Sequence, residues 1–469
     1  MESWAAWLQW LIQGASYELM LFASAGILLF GLDDLLFDLL WLANPARAEP
    51  APAKEPVAGP IAIFVPAWDE RQVLAATLQR MLTAWLEEDI RLYVGCYPND
   101  IATLFSITQM AARHPRLRLV IGEGEGPTTK GDNLNGLWTA LGEDERAEGI
   151  RFAAIVLPDA EDHVHAAELA LYRRYLTSHA MVQIPVVPLL TDGSRWIGGH
   201  YGDEFAEAHG KELALRSRLG LPIPSAGVGC ALSRNALALL AIERGGQPFR
   251  ADSLTEDYEV GMLIGTYGLS ACFVDSATPD GDRIVSRGSF PVSVERAVRQ
   301  KSRWMAGIAL AGWDHLGWCS GRSVADPSRL RAWASRWMLW RDRRALLAAV
   351  VLLAAYLGFA LTTLGWVGEA ALGWAPGERN SAIRVMLVIN AALLLWRLGM
   401  RSHFTVRCYG VRQGLLAVPR AFIANVIAML AAQRAVFLYV RLLRSGQVVW
   451  EKTEHWDNDA VPMRKACAP

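Results

Sequence analysis

The chain has 469 residues, room for two or three domains, and its 52% apolar content with a mean hydropathy of +0.19 is too high for a wholly soluble protein. Its 46 basic and 47 acidic residues nearly cancel, so the net charge gives no support to a nucleic-acid partner. Six cysteines, at positions 96, 230, 272, 319, 408 and 467, form no CxxC spacing, which points to a reduced compartment and away from a structural zinc site.

Residues 1–16 place Trp4, Trp7, Leu8, Leu11 and Ile12 at helical spacing without Lys or Arg, which predicts an amphipathic helix on a membrane surface rather than a signal peptide. Residues 17–42 read as a transmembrane segment whose Asp33, Asp34 and Asp38 lie near its inner end or face protein. Residues 43–59, rich in Pro and Ala, read as a linker. From residue 60 to 290 short apolar runs alternate with amphipathic stretches. Strands are expected at Ile61–Val65, Arg91–Gly95, Arg118–Ile121, Phe152–Leu157 and Met181–Val187, with helices at 70–87, 101–113, 131–142 and 162–179. This alternation predicts an α/β sheet, mostly parallel, whose ligands bind beyond the carboxyl ends of the strands.

Residues 291–344 read as amphipathic interfacial helices, and residues 345–400 as two transmembrane helices around an external connection that carries only Arg379. Arg412, Arg420, Arg434, Arg441 and Arg444 bracket the last apolar stretch, so residues 401–445 are expected to be interfacial or re-entrant, followed by a tail at 446–469. That makes three spans with the sheet domain in the cytoplasm. The 19 tryptophans, many at the edges of apolar runs, suit the headgroup zone.

Motifs follow the strands in order. The first strand ends in Pro66-Ala67-Trp68-Asp69-Glu70 and the second in Tyr97-Pro98-Asn99-Asp100; these carboxylates either bind a nucleoside or cap the next helix. Thr129-Lys130-Gly131-Asp132-Asn133 sits in a glycine-rich turn at a helix start, suited to phosphate although no Walker A pattern is present. Asp159, Glu161, Asp162, His163 and His165 crowd the end of the next strand, a cluster that favours Mg2+ or Mn2+ over zinc. Gly227-Val228-Gly229-Cys230 allows close backbone approach, and Thr255-Glu256-Asp257 reads first as a helix N-cap. Gln300-Lys301-Ser302-Arg303-Trp304 offers donors and an aromatic face to a sugar, or anchors a membrane surface.

The ordered set resembles the membrane-bound inverting glycosyltransferase family 2, related to cellulose, chitin and hyaluronan synthases. It resembles more narrowly the bacterial phage-adsorption protein B (NfrB-type) subgroup, through DDLLFD, KGDNLN and Val418-Pro419-Arg420. The opening VPAWDE has Asp69 where the family usually has Asn, and Asp159-Ala160-Glu161 has Glu at the second metal position. The resemblance implies a GT-A-type, Rossmann-like mixed sheet domain inserted between transmembrane and interfacial helices, in the bacterial inner membrane.

By residue, the resemblance implies donor binding by Pro66, Ala67, Asp69, Glu70, Asp100, Lys130, Asn133 and Asp159. Asp159, Glu161, Asp162 and His165 are the implied metal ligands, for Mg2+ or Mn2+. Asp257 is the implied base, beside Glu256 and Thr255; Gly229, Cys230, Gln300, Arg303 and Trp304 meet the acceptor. The implied reaction moves a sugar from a UDP-sugar, with a lean toward N-acetylhexosamine, onto a growing surface polysaccharide. The alternatives are single addition to a lipid-linked acceptor and a silent scaffold of an envelope export or phage-adsorption system. Expected partners are membrane lipid, an export partner in the periplasm or outer membrane and, through a partner protein, cyclic-di-GMP, because about thirty residues after Arg441 are too few for its domain. A homo-oligomer is a further expectation for a polymer channel.

Overall fold

Strands covered on both faces need no polar alternation. The run Ile61–Pro66 accordingly becomes β1, buried at all six positions. The computed structural model describes residues 2–45, 55–190, 192–318, 329–377 and 380–446. Most of the expected linker (46–54), residues 319–328 with Cys319, Arg379, and the tail from 447 with Cys467 lie outside the described residues.

The chain begins with α1 (Glu2–Ala43), β1, α2 (Leu74–Ala84), β2 (Ile90–Cys96), α3 (Ile101–Arg113), β3 (Leu117–Ile121), α4 (Lys130–Glu148) and β4 (Ala154–Leu157). It continues with α5 (Glu168–Tyr175), β5 (Met181–Gln183), β6 (Val186–Pro188), α6 (Ile197–Glu207), α7 (Ala214–Arg218), β7 (Cys230–Ser233) and α8 (Arg234–Glu243). After α9 (Glu256–Thr266), β8 (Ala271–Phe273) and β9 (Ser286–Gly288) come α10 (Val294–Met305), α11 (Gly312–Leu316) and α12 (Arg329–Arg343). Three long helices close the described chain: α13 (Ala345–Leu372), α14 (Ser381–Tyr409) and α15 (Val411–Ser445).

The seven-stranded sheet has the order β3-β2-β1-β4-β7-β5-β8. Its pairs are parallel except where β7 runs antiparallel between β4 and β5, which makes the sheet mixed. Alternation along β1 divides the core. Ile61, Ile63 and Val65 face a cluster with α2 and α5, whereas Ala62 and Phe64 face one with α4 and α8. The strand expected at Met181–Val187 is two strands, because β5 belongs to the main sheet and β6 pairs with β9 in a second, two-stranded sheet. Pro185 lies at the crossing and has no N–H for either ladder.

At the N-terminus the chain forms one 42-residue helix, with no break at residue 16 between a surface helix and a span. Among the described residues four helices are long and apolar enough to cross a membrane, namely Trp4–Ala43, α13, α14 and α15, against three expected spans. α1 packs on α13 and α14, with Gly26 against Val351, Gly31 against Leu393 and Gly358 against Met20. One end of this bundle is bonded by Gln9 and Gln13 to the Ala375 carbonyl, by Ser16 to Thr362 and by Asn380 to Tyr17. The other end holds the aspartates. Asp33 accepts from Trp337 at 2.6 Å and pairs with Arg341 and Arg344; Asp34 pairs with Arg341, Arg344 and Arg397. Asp38 meets Lys211 at 2.7 Å and Trp396 at 2.9 Å. Residues 17 and 33 are about 24 Å apart along α1, which is the length of the apolar layer between these two polar ends.

Lys211 belongs to the sheet domain, so Asp38 ties the bundle to it, while Asp33 and Asp34 face arginines of the neighbouring helices. α6 is the other half of that tie. Its Asp203, Glu204 and Glu207 meet Arg420 of α15, Lys301 of α10 and Arg401 of α14, at 2.9, 2.6 and 3.1 Å. Gly199 lets the Arg420 guanidinium lie against the α6 backbone; a Cβ there would sit 2.5 Å from its Nε.

Close approach also fixes α9. A Cβ at Gly261 would meet the Ser225 nitrogen at 2.2 Å and the Ile223 oxygen at 2.7 Å, both backbone atoms. Gly261→Ala is therefore expected to lower stability by about 1–3 kcal/mol, read as a lower thermal midpoint in detergent. Gly136→Ala, where nothing lies within 4 Å, should leave the midpoint unchanged or raise it slightly.

Candidate active site

The carboxyl ends of β1, β2 and β4 converge with the starts of α4 and α9. Pro66 and Ala67 are buried at the end of β1, and Trp68 stands edge-on to Tyr97 with ring centroids 5.4 Å apart. Asp69 is exposed and adopts φ +53, a left-handed conformation that Asp tolerates. Its amide donates to Asp100 Oδ2 at 2.6 Å, and Asp100 Oδ1 accepts from the Thr103 amide as N-cap of α3. Asp100 thus caps a helix and braces Asp69. Glu70 is buried, its amide donating to Thr103 Oγ1 at 3.1 Å.

Thr129 caps α4, accepting from the Asp132 amide and donating to the Ala251 carbonyl. This places Lys130 in the first turn, where its Nζ lies 2.5 Å from Asp159 Oδ1. Burial works against the ammonium, but the charges of Asp159, Glu256 and Asp257 outweigh it and raise its pKa above the ordinary lysine value. Lys130 therefore links two acidic groups from separate motifs. Asn133 turns the other way: its amide donates to the Gly95 carbonyl at 3.1 Å, and a Cβ on Gly95 would clash with it. Of the expected donor-binding residues, Asn133 is the one committed to helix–strand packing.

Three carboxylates crowd the end of β4. Burial raises Glu161 well above the usual range, and the charges of Asp159, Asp162 and Glu70 raise it further. Asp162 is raised in the same way, by burial and then by Asp159, although its Oδ2 accepts from the Asp159 amide at 2.9 Å. His165 does not join them. Its Nδ1 accepts from the Ala167 amide at 3.0 Å and its Nε2 faces Asp282 at 3.3 Å, so both ring nitrogens are engaged. In this arrangement His165 braces its loop. Among the described residues no three His, Cys, Asp or Glu side chains stand in ready-made ligand geometry. The oxygen donors Asp159, Glu161 and Asp162 nonetheless have the hard chemistry that suits Mg2+ or Mn2+, and their mutual repulsion is what a cation relieves.

Thr255 occupies the N-cap position of α9, yet its side chain makes no cap bond. Gly307, in the π-helical turn after α10, lies against it; a Cβ there would sit 2.5 Å from Thr255 Oγ1. The bracing comes from Ser253, whose Oγ accepts from the Thr255 amide at 3.1 Å and donates to Glu259 at 2.6 Å. Glu256 is buried, and burial followed by the Asp257 charge pushes it up to about 7. Burial also raises Asp257, against the pull of Lys130 and Arg303. Gly227, at φ +79, carries the backbone close to Asp257, where a Cβ would be 2.1 Å from its Oδ2, and Gly229, at φ +60, packs against Ser286 and Ile184. Cys230 lies inside β7 opposite Leu157, where burial pushes its thiol up to about 12.

On α10, Arg303 belongs to the electrostatic surroundings of both Glu256 and Asp257. Trp304 faces Tyr201 and Phe205 in an aromatic cluster, with centroids 6.0 and 6.3 Å away, and Gln300 keeps a buried, unpartnered Oε1. The structure thus unites Glu70, Lys130, Asp159, Glu161, Asp162, Glu256, Asp257 and Arg303. Spacing gave no sign of Gln183, whose amide bonds the Val228 and Gly229 carbonyls and the Ala226 amide and so shapes the glycine loop. His315 of α11 was equally silent; its Nδ1 lies 2.7 Å from the fully buried Glu259 of α9.

Comparison with known proteins follows the same outline. Bacteriophage adsorption protein B of Escherichia coli K12 is 31% identical over 459 residues, covering 91% of this chain and 60% of the relative. Bacteriophage N4 adsorption protein B of Escherichia coli O157:H7 gives the same figures, so the chain spans about 60% of the length of these relatives. A solved mannosyltransferase from Pyrobaculum calidifontis, in complex with GDP-Man and Mn2+, aligns at 16% identity with a TM-score of 0.49, covering 88% of this chain and 99% of that one. The glycosyltransferase-like family 2 pattern matches residues 58–307, more than half of the chain, from just before β1 to just past Trp304, and the chain belongs to that family.

Proposed function

We propose that the protein is an inverting glycosyltransferase that takes a sugar, of the N-acetylhexosamine class, from a UDP-sugar. The observation that carries this reading is Lys130, which joins the β4 carboxylates to Glu256 and Asp257 within one charged site. The uridine side falls to Asp69, Glu70 and Asp100 at the strand ends. Lys130, at the start of α4, faces the diphosphate, where the helix dipole and the ammonium act together.

Asp159, Glu161 and Asp162 are the residues that would hold Mg2+ or Mn2+, with Lys130 passing from Asp159 to phosphate. A bound divalent ion supplies Lewis-acid neutralisation of the departing diphosphate. Asp257 takes the proton from the acceptor hydroxyl, whose oxygen attacks the anomeric carbon from the face opposite the diphosphate and inverts it. Its raised affinity for protons makes it a stronger base than an exposed aspartate, and Arg303 keeps its ionised form accessible. Arg303 and Trp304 set the near wall of the acceptor site.

By the positive-inside rule, the arginines at the Asp33 end of the bundle support a reading in which that end, and the sheet domain, face the cytoplasm across an inner membrane. The glycine contacts that close α1 on α13 and α14 favour single addition to a lipid-linked acceptor over extrusion of a polymer, which needs space between spans. A growing surface polysaccharide remains the acceptor only with an export partner or a second copy supplying the channel.

A screen of UDP-sugars by released UDP tests the donor; turnover of a UDP-N-acetylhexosamine is expected, and no turnover together with no UDP-induced thermal shift would favour a silent scaffold. Asp257→Asn should lower transfer at least about 100-fold while UDP binding, measured by calorimetry, stays near normal. Chelation with EDTA should stop transfer and added Mn2+ restore it. In Glu161→Gln the Mn2+ concentration for half-maximal rate should rise roughly 10-fold or more.

A further inference from the structure

α15 has the length and apolar character of a span, yet along both of its halves it bonds residues of the sheet domain and of α10 and α11. Past Arg397, α14 leaves the helices it packs with and runs into the sheet domain. Its Arg401 pairs with Glu207, Thr405 bonds Asp203, and Tyr409 donates to the Pro188 carbonyl. Gly410, at φ +86, reverses the chain there, so α15 starts on the sheet-domain side.

Its first half stays on that side. Arg420 is 1% exposed, paired with Asp203 at 2.9 Å and bonded to the Arg195 carbonyl at 2.9 Å. Its second half stays there too: Arg434 donates to Ser302 of α10 at 2.7 Å, and Tyr439 to Asp314 at 2.9 Å. Ala435, Leu438 and Leu442 pack with Leu254, Ala306 and Leu346. Leu346 is in the first turn of α13, next to the Arg344 that binds Asp33 and Asp34 and more than four turns before Thr362. A helix crossing beside α13 would instead end near Thr362 and Ala375.

Only thirteen residues separate Arg420 from Arg434. They rise about 20 Å, short of the roughly 30 Å hydrocarbon core. The two faces of α15 differ along the whole helix. Gly414, Ala417, Arg420, Ala424, Ile427 and Ala431 are buried at helical spacing. Leu415, Val418, Phe422, Val426, Phe437 and Val440 are exposed at the same spacing on the other side. Arg412, Arg441 and Arg444 stand at its two ends, where headgroup phosphates are met.

We infer that α15 does not cross the membrane but lies in the leaflet on the sheet-domain side, with its apolar stripe against lipid. The occupant of that stripe is phospholipid, because the stripe stays apolar and exposed from Leu415 to Val440 and the helix has arginines at both ends. Through Arg434–Ser302 and the Ala306 contact, lipid seated on α15 sets the depth of α10 and of the Arg303–Trp304 wall. An acceptor carried by the same leaflet then reaches Asp257 without leaving it.

The experiment requires no sugar turnover, so it stands apart from the reading of the reaction. Added-cysteine variants Ser445→Cys at the end of α15, Ser381→Cys at the far end of the bundle and Thr108→Cys on exposed α3 are labelled in sealed vesicles with a membrane-impermeant maleimide, and the labelling of the six native cysteines, measured on the wild type, is subtracted. Ser445→Cys is expected to label from the side that labels Thr108→Cys; labelling from the Ser381→Cys side would overturn the inference. Spin labels at Phe422→Cys and Phe437→Cys should both report depths within about 10 Å of the headgroups. Either label at the bilayer centre would also overturn it.

Discussion

A buried carboxylate is costly to ionise unless a cation meets it, and this protein gathers Glu70, Asp159, Glu161 and Asp162 at one set of strand ends and Glu256 and Asp257 at a helix start beside them. Lys130 makes that proximity tolerable. It holds Asp159 at 2.5 Å and its charge reaches Glu256 and Asp257 as well. Everything that fixes Lys130 in place therefore conditions the site. Thr129 caps the helix it begins, and Gly131 gives the room that the Arg250 carbonyl takes, 2.3 Å from where a Cβ would sit.

The same economy of charge joins the sheet domain to the membrane helices. α6 distributes three acids among α10, α14 and α15, while α1 offers three aspartates to arginines of α12 to α14 and to Lys211. The Arg420–Asp203 and Lys211–Asp38 pairs are removed from water, so breaking one partner there leaves a stranded charge rather than a lost surface contact. Helix α10 stands between the two halves. Lys301 ties it to α6 and Ser302 to α15, while Arg303 faces the acids and Gly307 lies against Thr255. The membrane attachment and the candidate base are thus two ends of one set of contacts.

The strand ends were legible because function and fold use the same places. A chain that alternates apolar runs with amphipathic stretches must build a sheet, and the residues just past its strands must face the ligand side. Less legible was how each polar residue is used. Asn133 and Asp159 sit in equally polar motifs, yet one bonds the β2 backbone and the other the Lys130 ammonium. The N-cap reading of Thr255-Glu256-Asp257 proved half true: Thr255 holds the position, Ser253 makes the bond, and Asp257 is left to the site.

By itself the sequence determined the α/β sheet, the order of the motifs and the family, since these rest on periodicity and on short strings whose chemistry is local. Tertiary structure decided the antiparallel β7, the union of Lys130 with Asp257, the removal of His165 to Asp282, and the partners of Asp33, Asp34 and Asp38. It also decided what α15 touches, because an apolar helix with arginines reads the same whether it crosses lipid or lies along it. Those outcomes depend on pairs far apart in the chain, such as Arg420 with Asp203, and no local pattern encodes which distant charge a side chain will meet.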